Sequence, residues 1–141
     1  MKKVIISVTN DLNTDQRVDK VANSLLDNGF SVLLVGRKIR NFSSPLISRS
    51  YDCHRFSLIF DKGFLFYLEF NIRLFFFLFF KKSDILLSND LDTLLPNFLV
   101  SKLKRKKLVY DSHELFVEVP ELIHRPIVKR VWLLLEQFCL P

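Results

Sequence analysis

Apolar and polar positions change along the chain in blocks that predict strands and helices in turn. Residues 3–9 form a continuous, mostly β-branched run, which is typical of a strand buried on both faces in a parallel sheet. After a polar loop, Thr14 or Asp15 can cap a helix that Gly29 ends, and residues 31–35 are a second buried run. Strand, helix and strand in this order predict a βαβ unit with a right-handed crossover.

The rest of the chain continues this alternation. Further strands are predicted at residues 51–60, which is the weaker candidate, and at residues 84–88 and 107–111. Further helices are predicted at residues 64–80, 91–103 and 126–138. The pattern as a whole predicts an α/β fold with a doubly wound parallel sheet of about five strands, in one domain over residues 1–141.

Polar residues follow three of the predicted strands, at the points where the strands end. The three clusters are Asn10, Asp11 and Arg17; Asn89, Asp90 and Asp92; and Asp111, Ser112, His113 and Glu114. Ligands of doubly wound sheets bind outside the carboxyl ends of the strands, where these clusters should share one rim. The convergence predicts a ligand site, although polar residues are also common in any loop between a strand and a helix.

Composition and net charge limit the classes of molecule that this protein is expected to bind. The 21 lysines and arginines exceed the 15 acidic residues, so the formal net charge is +6. This balance suits an anionic membrane surface or a phosphorylated substrate, or it is simply a solvated basic surface. We expect no nucleic-acid partner, because the basic run at residues 102–107 has no interleaved aromatic side chains.

Cys53 and Cys139 have no metal-binding spacing, so we expect no metal and a reducing compartment. The apolar run at residues 4–8 is too short for a signal-peptide core, which predicts a cytoplasmic protein.

The aromatic segment at residues 64–80 has three interpretations. As a helix it is about 25 Å long, against about 30 Å for the hydrocarbon core of a bilayer, so it is marginal as a transmembrane span. It can be a core helix, with Glu69 and Arg73 paired one turn apart. It can also lie in a membrane interface, as in a peripheral protein on the inner face of the cell membrane. The residues predicted to contact the membrane are Phe75, Phe76, Phe79, Lys81 and Lys82.

Two motifs carry a family resemblance. NDLDTL at residues 89–94 and LVYDSHELF at residues 108–116 resemble the N-terminal domain of family 4 glycosyltransferases, and residues 15–18 and 25–35 resemble the start of that domain. The resemblance implies a GT-B architecture of two Rossmann-like domains, in which the N-terminal domain handles the acceptor and the C-terminal domain holds the sugar nucleotide. It implies the acceptor-side half of a retaining hexosyltransferase that builds surface polysaccharide or lipid-linked glycans.

The resemblance also implies what the chain lacks. The sugar nucleotide is expected as a co-substrate bound through a second domain, with no tightly bound cofactor and with a sugar or lipid-linked sugar as acceptor. We therefore expect the native chain to continue past Pro141, and the fragment alone to be inactive. Many family members have glycines in the first loop, where this chain has residues 10–15, which puts a donor-phosphate role of that loop in doubt.

The polar clusters supply the candidate residues. The catalytic candidates are His113, which can orient a sugar or transfer a proton, Asp111, which can orient His113 or bind an acceptor hydroxyl, and Asp90, which can bind hydroxyls or act as a general base. The substrate-binding candidates are Asn10, Asp15, Arg17, Asn89, Asp92 and Glu114. Each also has a structural interpretation, as a helix cap or a surface ion pair.

A second function remains open at this point. The chain can be a stand-alone binding or regulatory module with a flavodoxin-like sheet, recruited to a membrane by its basic and phenylalanine-rich surfaces and without catalysis. A flavin module would copurify with a yellow chromophore.

Overall fold

A five-stranded parallel sheet forms the centre of the domain. The computed structural model describes residues 1–39, 45–112 and 124–140. The strands are β1 (Lys3–Asp11), β2 (Ser31–Arg37), β3 (Asp52–Phe56), β4 (Ile85–Asn89) and β5 (Lys107–Asp111), in the spatial order β3-β2-β1-β4-β5. The chain thus starts in the middle and winds to both edges, which confirms the predicted doubly wound, Rossmann-like sheet. The flavodoxin-like order is different, with the second strand at the edge, so that part of the alternative hypothesis is wrong.

Four helices cover the sheet in the described parts of the chain. They are α1 (Gln16–Asp27), α2 (Gly63–Phe80), α3 (Leu94–Lys104) and α4 (Pro126–Cys139). Asp15 caps α1 as predicted, since its carboxylate accepts from the backbone N–H of Val18. A short 3₁₀ turn, Leu91–Thr93, precedes α3, which therefore begins three residues later than the sequence predicts.

The third strand is shorter than predicted. It ends at Phe56 and does not continue to residue 60. The backbone N–H groups of Ile59 and Phe60 donate to the carboxylate of Glu69, at distances of 2.9 and 3.0 Å, so they are not available to a neighbouring strand. Glu69 also pairs with Arg73 at 3.0 Å, which confirms the predicted pair on α2. Residues 59 and 60 are therefore held by a helix side chain and not by the sheet.

The core has one layer on each side of the sheet. On one side, Ile5 of β1 packs with Phe70 and Leu74 of α2. On the other side, Ile6 of the same strand packs with Val18 of α1. Successive side chains of a strand point to opposite faces, so the unbroken apolar run of β1 supplies both layers.

Helix α2 packs on the sheet along one face only. By length and composition it is long and apolar enough to cross a membrane. One face of it is nevertheless buried in the core of this domain: Phe66, Phe70, Leu74 and Leu78. The exposed apolar side chains, here called the α2 stripe, are Phe64, Leu65, Leu68, Ile72, Phe76, Phe79 and Phe80. Phe76 and Phe79 are therefore exposed, whereas Phe75 is half-buried against the core, and Lys81 and Lys82 follow the helix as exposed side chains.

A close approach between β2 and the first loop shapes the carboxyl edge of the sheet. A Cβ atom at Gly36 would lie 2.8 Å from the carbonyl oxygen of Asn10 and would also overlap the side chain of Leu12. Only glycine lets the end of β1 and the loop after it approach β2 this closely.

Candidate functional site

A cleft of about 1290 Å³ opens at the carboxyl edge of the sheet. The loop between β1 and α1, the first turns of α2, the turn after β4, and α4 line it. The cleft lies beside the centre of the sheet, where β1 neighbours both β2 and β4 and the chain winds away in opposite directions. Doubly wound sheets bind their ligands at this switch point.

Side chains from the first two predicted clusters form the polar floor. The hydroxyl of Thr9 donates to Asp92 at 2.6 Å, and the guanidinium of Arg17 lies 3.4 Å from the carboxylate of Asp90. Asn10 donates to Asp15 at 3.1 Å, with the other carboxylate oxygen of Asp15 used as the α1 cap. Residues 9–17 and residues 90–92 are far apart in the sequence, and the parallel pairing of β1 with β4 brings them together, as predicted.

The backbone of Asp90 is strained. Its φ of 61° and ψ of 172° lie in a region that is essentially restricted to glycine. Two bonds hold it there: its N–H donates to the carbonyl of Asp111 at 3.0 Å, and its carbonyl accepts from the hydroxyl of Ser88 at 3.3 Å. Such strain costs about 1–3 kcal/mol and concentrates at functional sites. Here the conformation accompanies a carboxylate that lines the cleft beside Arg17.

Asp92 has the most altered acidity of the floor. Burial away from water, together with the neighbouring charge of Asp90, raises the pKa of this carboxyl to about 7. The hydrogen bond from Thr9 and the charge of Arg37 act in the opposite direction but do not compensate. A carboxyl with a pKa near neutrality can both accept and return a proton at physiological pH.

The wall of the cleft opposite this floor is apolar. Helix α2 contributes Phe64, Tyr67 and Leu68, and α4 contributes Ile127, Val128, Val131, Trp132 and Leu135. The rings of Tyr67 and Trp132 meet edge to face with centroids 5.3 Å apart, which joins the two helices across the cleft. The sequence interpretation missed this wall. The helical spacing of Ile127, Val131 and Leu135 was visible, but nothing local says which side of the sheet the helix covers.

The remaining candidates have different placements. Asn89 does not line the cleft: it is buried at the end of β4, and its side-chain polar atoms have no hydrogen-bond partner among the described residues. Asp111 lies opposite Asn89 on β5, where its carbonyl supports Asp90, and it does not line the cleft either. His113 and Glu114 lie outside the described residues.

Acidic side chains outnumber basic ones in the described lining of the cleft. The acids are Asp11, Asp15, Asp90 and Asp92, and the cations are Arg17 and Arg125. Two of the acids are paired with arginines, Asp90 with Arg17 and Asp11 with Arg55 at 3.9 Å. Asp15 and Asp92 are therefore the acids that favour hydrogen-bond donors and disfavour anions.

Comparisons with known proteins bear on the fold. No family model matches the sequence, and no curated protein matches it. The crystal structure of SsfS6, a glycosyltransferase from Streptomyces sp. SF2575, superposes with a TM-score of 0.55 at 12% sequence identity. The alignment covers 96% of this chain and 44% of that chain, so this chain spans less than half the length of the glycosyltransferase it matches. At this identity the likeness shows the fold alone, which matches a Rossmann-like domain of a GT-B glycosyltransferase.

Proposed function

We propose that this chain is the acceptor-side domain of a sugar-nucleotide-dependent glycosyltransferase similar to family 4, which adds a hexosyl group to a surface polysaccharide or a lipid-linked glycan. Three observations support the proposal. They are the motifs at residues 89–94 and 108–116, the GT-B-like fold, and the chemistry of the cleft. The sugar nucleotide binds through a second domain in this proposal.

The observation that carries the proposal is the acidic floor of the cleft. Carboxylates, a carboxamide and a threonine hydroxyl are groups that bind the hydroxyls of a sugar. Of these carboxylates, Asp15 and Asp92 repel the diphosphate of a sugar nucleotide, and the described lining offers it only Arg17, which is paired, and Arg125. The floor therefore suits an acceptor and not the phosphates of a donor.

Within the cleft, Asp92 and Asp90 are proposed to contact the reacting acceptor hydroxyl. Asp92 has the pKa to take a hydrogen bond or a proton from that hydroxyl near neutral pH. Asp90 binds a neighbouring hydroxyl and holds Arg17 in place, while Asn10 and Asp15 bind hydroxyls nearer the loop. His113 and Glu114 retain their proposed roles, whereas Asp111, which does not line the cleft, is proposed to act through its backbone on Asp90.

The apolar wall and the α2 stripe favour a lipid-linked acceptor. Phe64 and Leu68 belong both to the wall of the cleft and to the stripe, so apolar surface continues from the cleft along the whole of α2. An interfacial position of this stripe on the cytoplasmic face of a membrane would bring a lipid-linked sugar to the mouth of the cleft.

Fluorescence of Trp132 provides a direct test of acceptor binding. This residue is the only tryptophan of the chain and lines the cleft, so a ligand bound there changes its emission. A panel of methyl hexosides should give a saturable change with dissociation constants of about 1–10 mM, as expected for a small ligand with few contacts. The variant Asp90→Ala should weaken binding about tenfold or more, because charged hydrogen bonds contribute roughly 1.5–3 kcal/mol and 1.4 kcal/mol is a factor of about ten.

The matched control is Asp52→Asn, which removes an exposed carboxylate at the start of β3, at the opposite edge of the sheet. It should leave the titration unchanged. A panel that gives no saturable change would contradict the acceptor role, as would equal losses in Asp90→Ala and Asp52→Asn. In the full-length protein, sugar transfer from a nucleotide donor should fall with Asp90→Ala and persist with Asp52→Asn.

A further inference from the structure

A second pocket lies at the amino edge of the sheet, on the opposite side of the domain from the cleft. Its volume is about 340 Å³, and it is lined by Lys3, Lys82, Ser83, Asp84, Lys104 and Lys106. We call it the basic pocket, since four lysines stand against one aspartate. Three segments distant in sequence meet here: the start of β1, the link between α2 and β4, and the turn between α3 and β5.

One cation of the pocket, Lys104, is held in place by the fold. The ammonium of Lys104 donates to the carbonyls of Leu78, at 3.3 Å, and Lys81, at 2.6 Å, which ties the end of α3 to the end of α2. Burial, and the nearby charge of Lys106, lower the pKa of Lys104. The one acid, Asp84, accepts from the backbone N–H of Lys3 at 2.9 Å. The ammonium of Lys104 is therefore fixed, and the other three lysines leave the pocket with an excess of positive charge around it.

A buried hydroxyl completes the pocket. Ser83 is 5% exposed, and its Oγ has no hydrogen-bond partner among the described residues. A buried polar group without a partner is costly, and most such groups in proteins bind a neighbour, a water or a ligand. A hydroxyl donor surrounded by ammonium groups is an arrangement that can bind a phosphate.

The α2 stripe indicates where that phosphate comes from. It runs from the mouth of the cleft to Phe80, which is 78% exposed, over about 27 Å of helix, and Lys82 and Ser83 follow within three residues. Apolar side chains beside clustered cations fit the boundary between acyl chains and anionic headgroups, whereas a free phosphate ion needs no apolar neighbour.

We propose that the basic pocket binds the phosphate of an anionic lipid headgroup while the α2 stripe lies in the membrane interface. The proposal rests on the membrane contact proposed above and adds to it a defined headgroup site with Ser83 at its base. This binding mode also fixes the orientation of the domain. The face that carries the stripe and the pocket lies towards the membrane, and the mouth of the cleft lies at the edge of that face.

The experiment is flotation of the full chain with phosphatidylcholine vesicles, with and without phosphatidylglycerol. Binding should require phosphatidylglycerol and fall about 25-fold in the double variant Lys82→Gln/Lys106→Gln, because each lysine near an anionic surface contributes a factor of about five. Ser83→Ala should lower binding about threefold or more without loss of stability, since the hydroxyl has no partner to lose within the described protein. A purely structural Ser83 would leave binding unchanged.

The control for charge is Lys20→Gln/Lys38→Gln. Both side chains are exposed, and Lys20 lies on α1, which covers the other face of the sheet from α2. Equal losses in the two double variants would overturn the site, because binding would then follow net charge alone. Absence of binding to either kind of vesicle would overturn it too.

Two further arms identify the source of the phosphate. Inorganic phosphate, compared with chloride at the same ionic strength, should compete weakly, and Phe76→Ser/Phe80→Ser should reduce vesicle binding while circular dichroism shows a folded chain. Full competition by inorganic phosphate with no effect of the phenylalanine variants would assign the pocket to a free anion and refute the headgroup site. The Trp132 titration is independent of these outcomes, so failure of the headgroup site leaves the acceptor cleft standing.

Discussion

The buried carboxyl of Asp92 predicts an unusual dependence of stability on pH. Its pKa is about 7 in the folded chain, against 3.8 for the ordinary group, so the folded state binds its proton more tightly than the unfolded state does. The stabilising contribution of this proton is complete below pH 4, is lost as the pH rises to 7, and stays lost above it. Three pKa units correspond to about 4 kcal/mol at 1.36 kcal/mol each, which is an upper limit.

The substitution Asp92→Asn tests this reasoning, because asparagine resembles the protonated carboxyl and does not titrate. Its free energy of unfolding should be close to that of the parent chain at pH 4 and should exceed it by up to about 4 kcal/mol at pH 8. Urea unfolding followed by circular dichroism at pH 4, 5, 6, 7 and 8 measures the difference, in which the other carboxylates cancel. Asp52→Asn supplies the control for loss of a surface carboxylate.

A second variant tests the cause of the shift. The charge of Asp90 contributes to the raised pKa of Asp92, so Asp90→Asn should lower that pKa and move the loss of stability to lower pH. If the difference between the parent chain and Asp92→Asn is the same at every pH, Asp92 titrates alike in the folded and unfolded chain. Its assignment as a group for proton transfer would then fail.

Three further predictions concern the backbone and the surface. Asp90→Gly should be more stable than Asp90→Ala by about 1–3 kcal/mol in urea unfolding, because only glycine relieves the strained φ, and equal stability would show that there is no strain to relieve. Gly36→Ala should lower the free energy of unfolding by about 1–3 kcal/mol and weaken the fluorescence response of Trp132, because the added Cβ meets the carbonyl of Asn10. Unchanged stability and fluorescence would mean that the segment around Asn10 can move away freely. Phe76→Ser should leave stability within about 0.5 kcal/mol, whereas Phe70→Ala should cost about 3–5 kcal/mol, and similar losses would contradict the one-sided packing of α2.

Much of the fold was predictable because its signals are local. The apolar run of β1, the cap at Asp15 and the alternation of strands and helices each depend on a few neighbouring residues. The placement of Ile59 and Phe60 outside β3 was not predictable, since their backbone N–H groups donate to a carboxylate on α2. A long-range side-chain contact of this kind has no signature in the local pattern.

The candidate site was also predictable only in the features that depend on local sequence. The sequence by itself determined that polar clusters follow β1 and β4, and that the two strands end at one rim, because parallel strands in a doubly wound sheet must do so. The sequence could not show that Asn89 is buried in the core while Asp90 lines the cleft. The two residues are adjacent at the end of β4, and the direction of the backbone there, which no local pattern predicts, decides where each side chain lies.

Only the tertiary structure decided the pairing of Arg17 with Asp90, the pKa of Asp92 and the apolar wall of α4. Each of these depends on groups brought together from distant segments: a charge partner, the exclusion of water, and the side of the sheet on which a helix packs. The sequence determines which groups are present and the period at which they recur. Their acidity and their access to a ligand follow from the neighbours that the fold supplies.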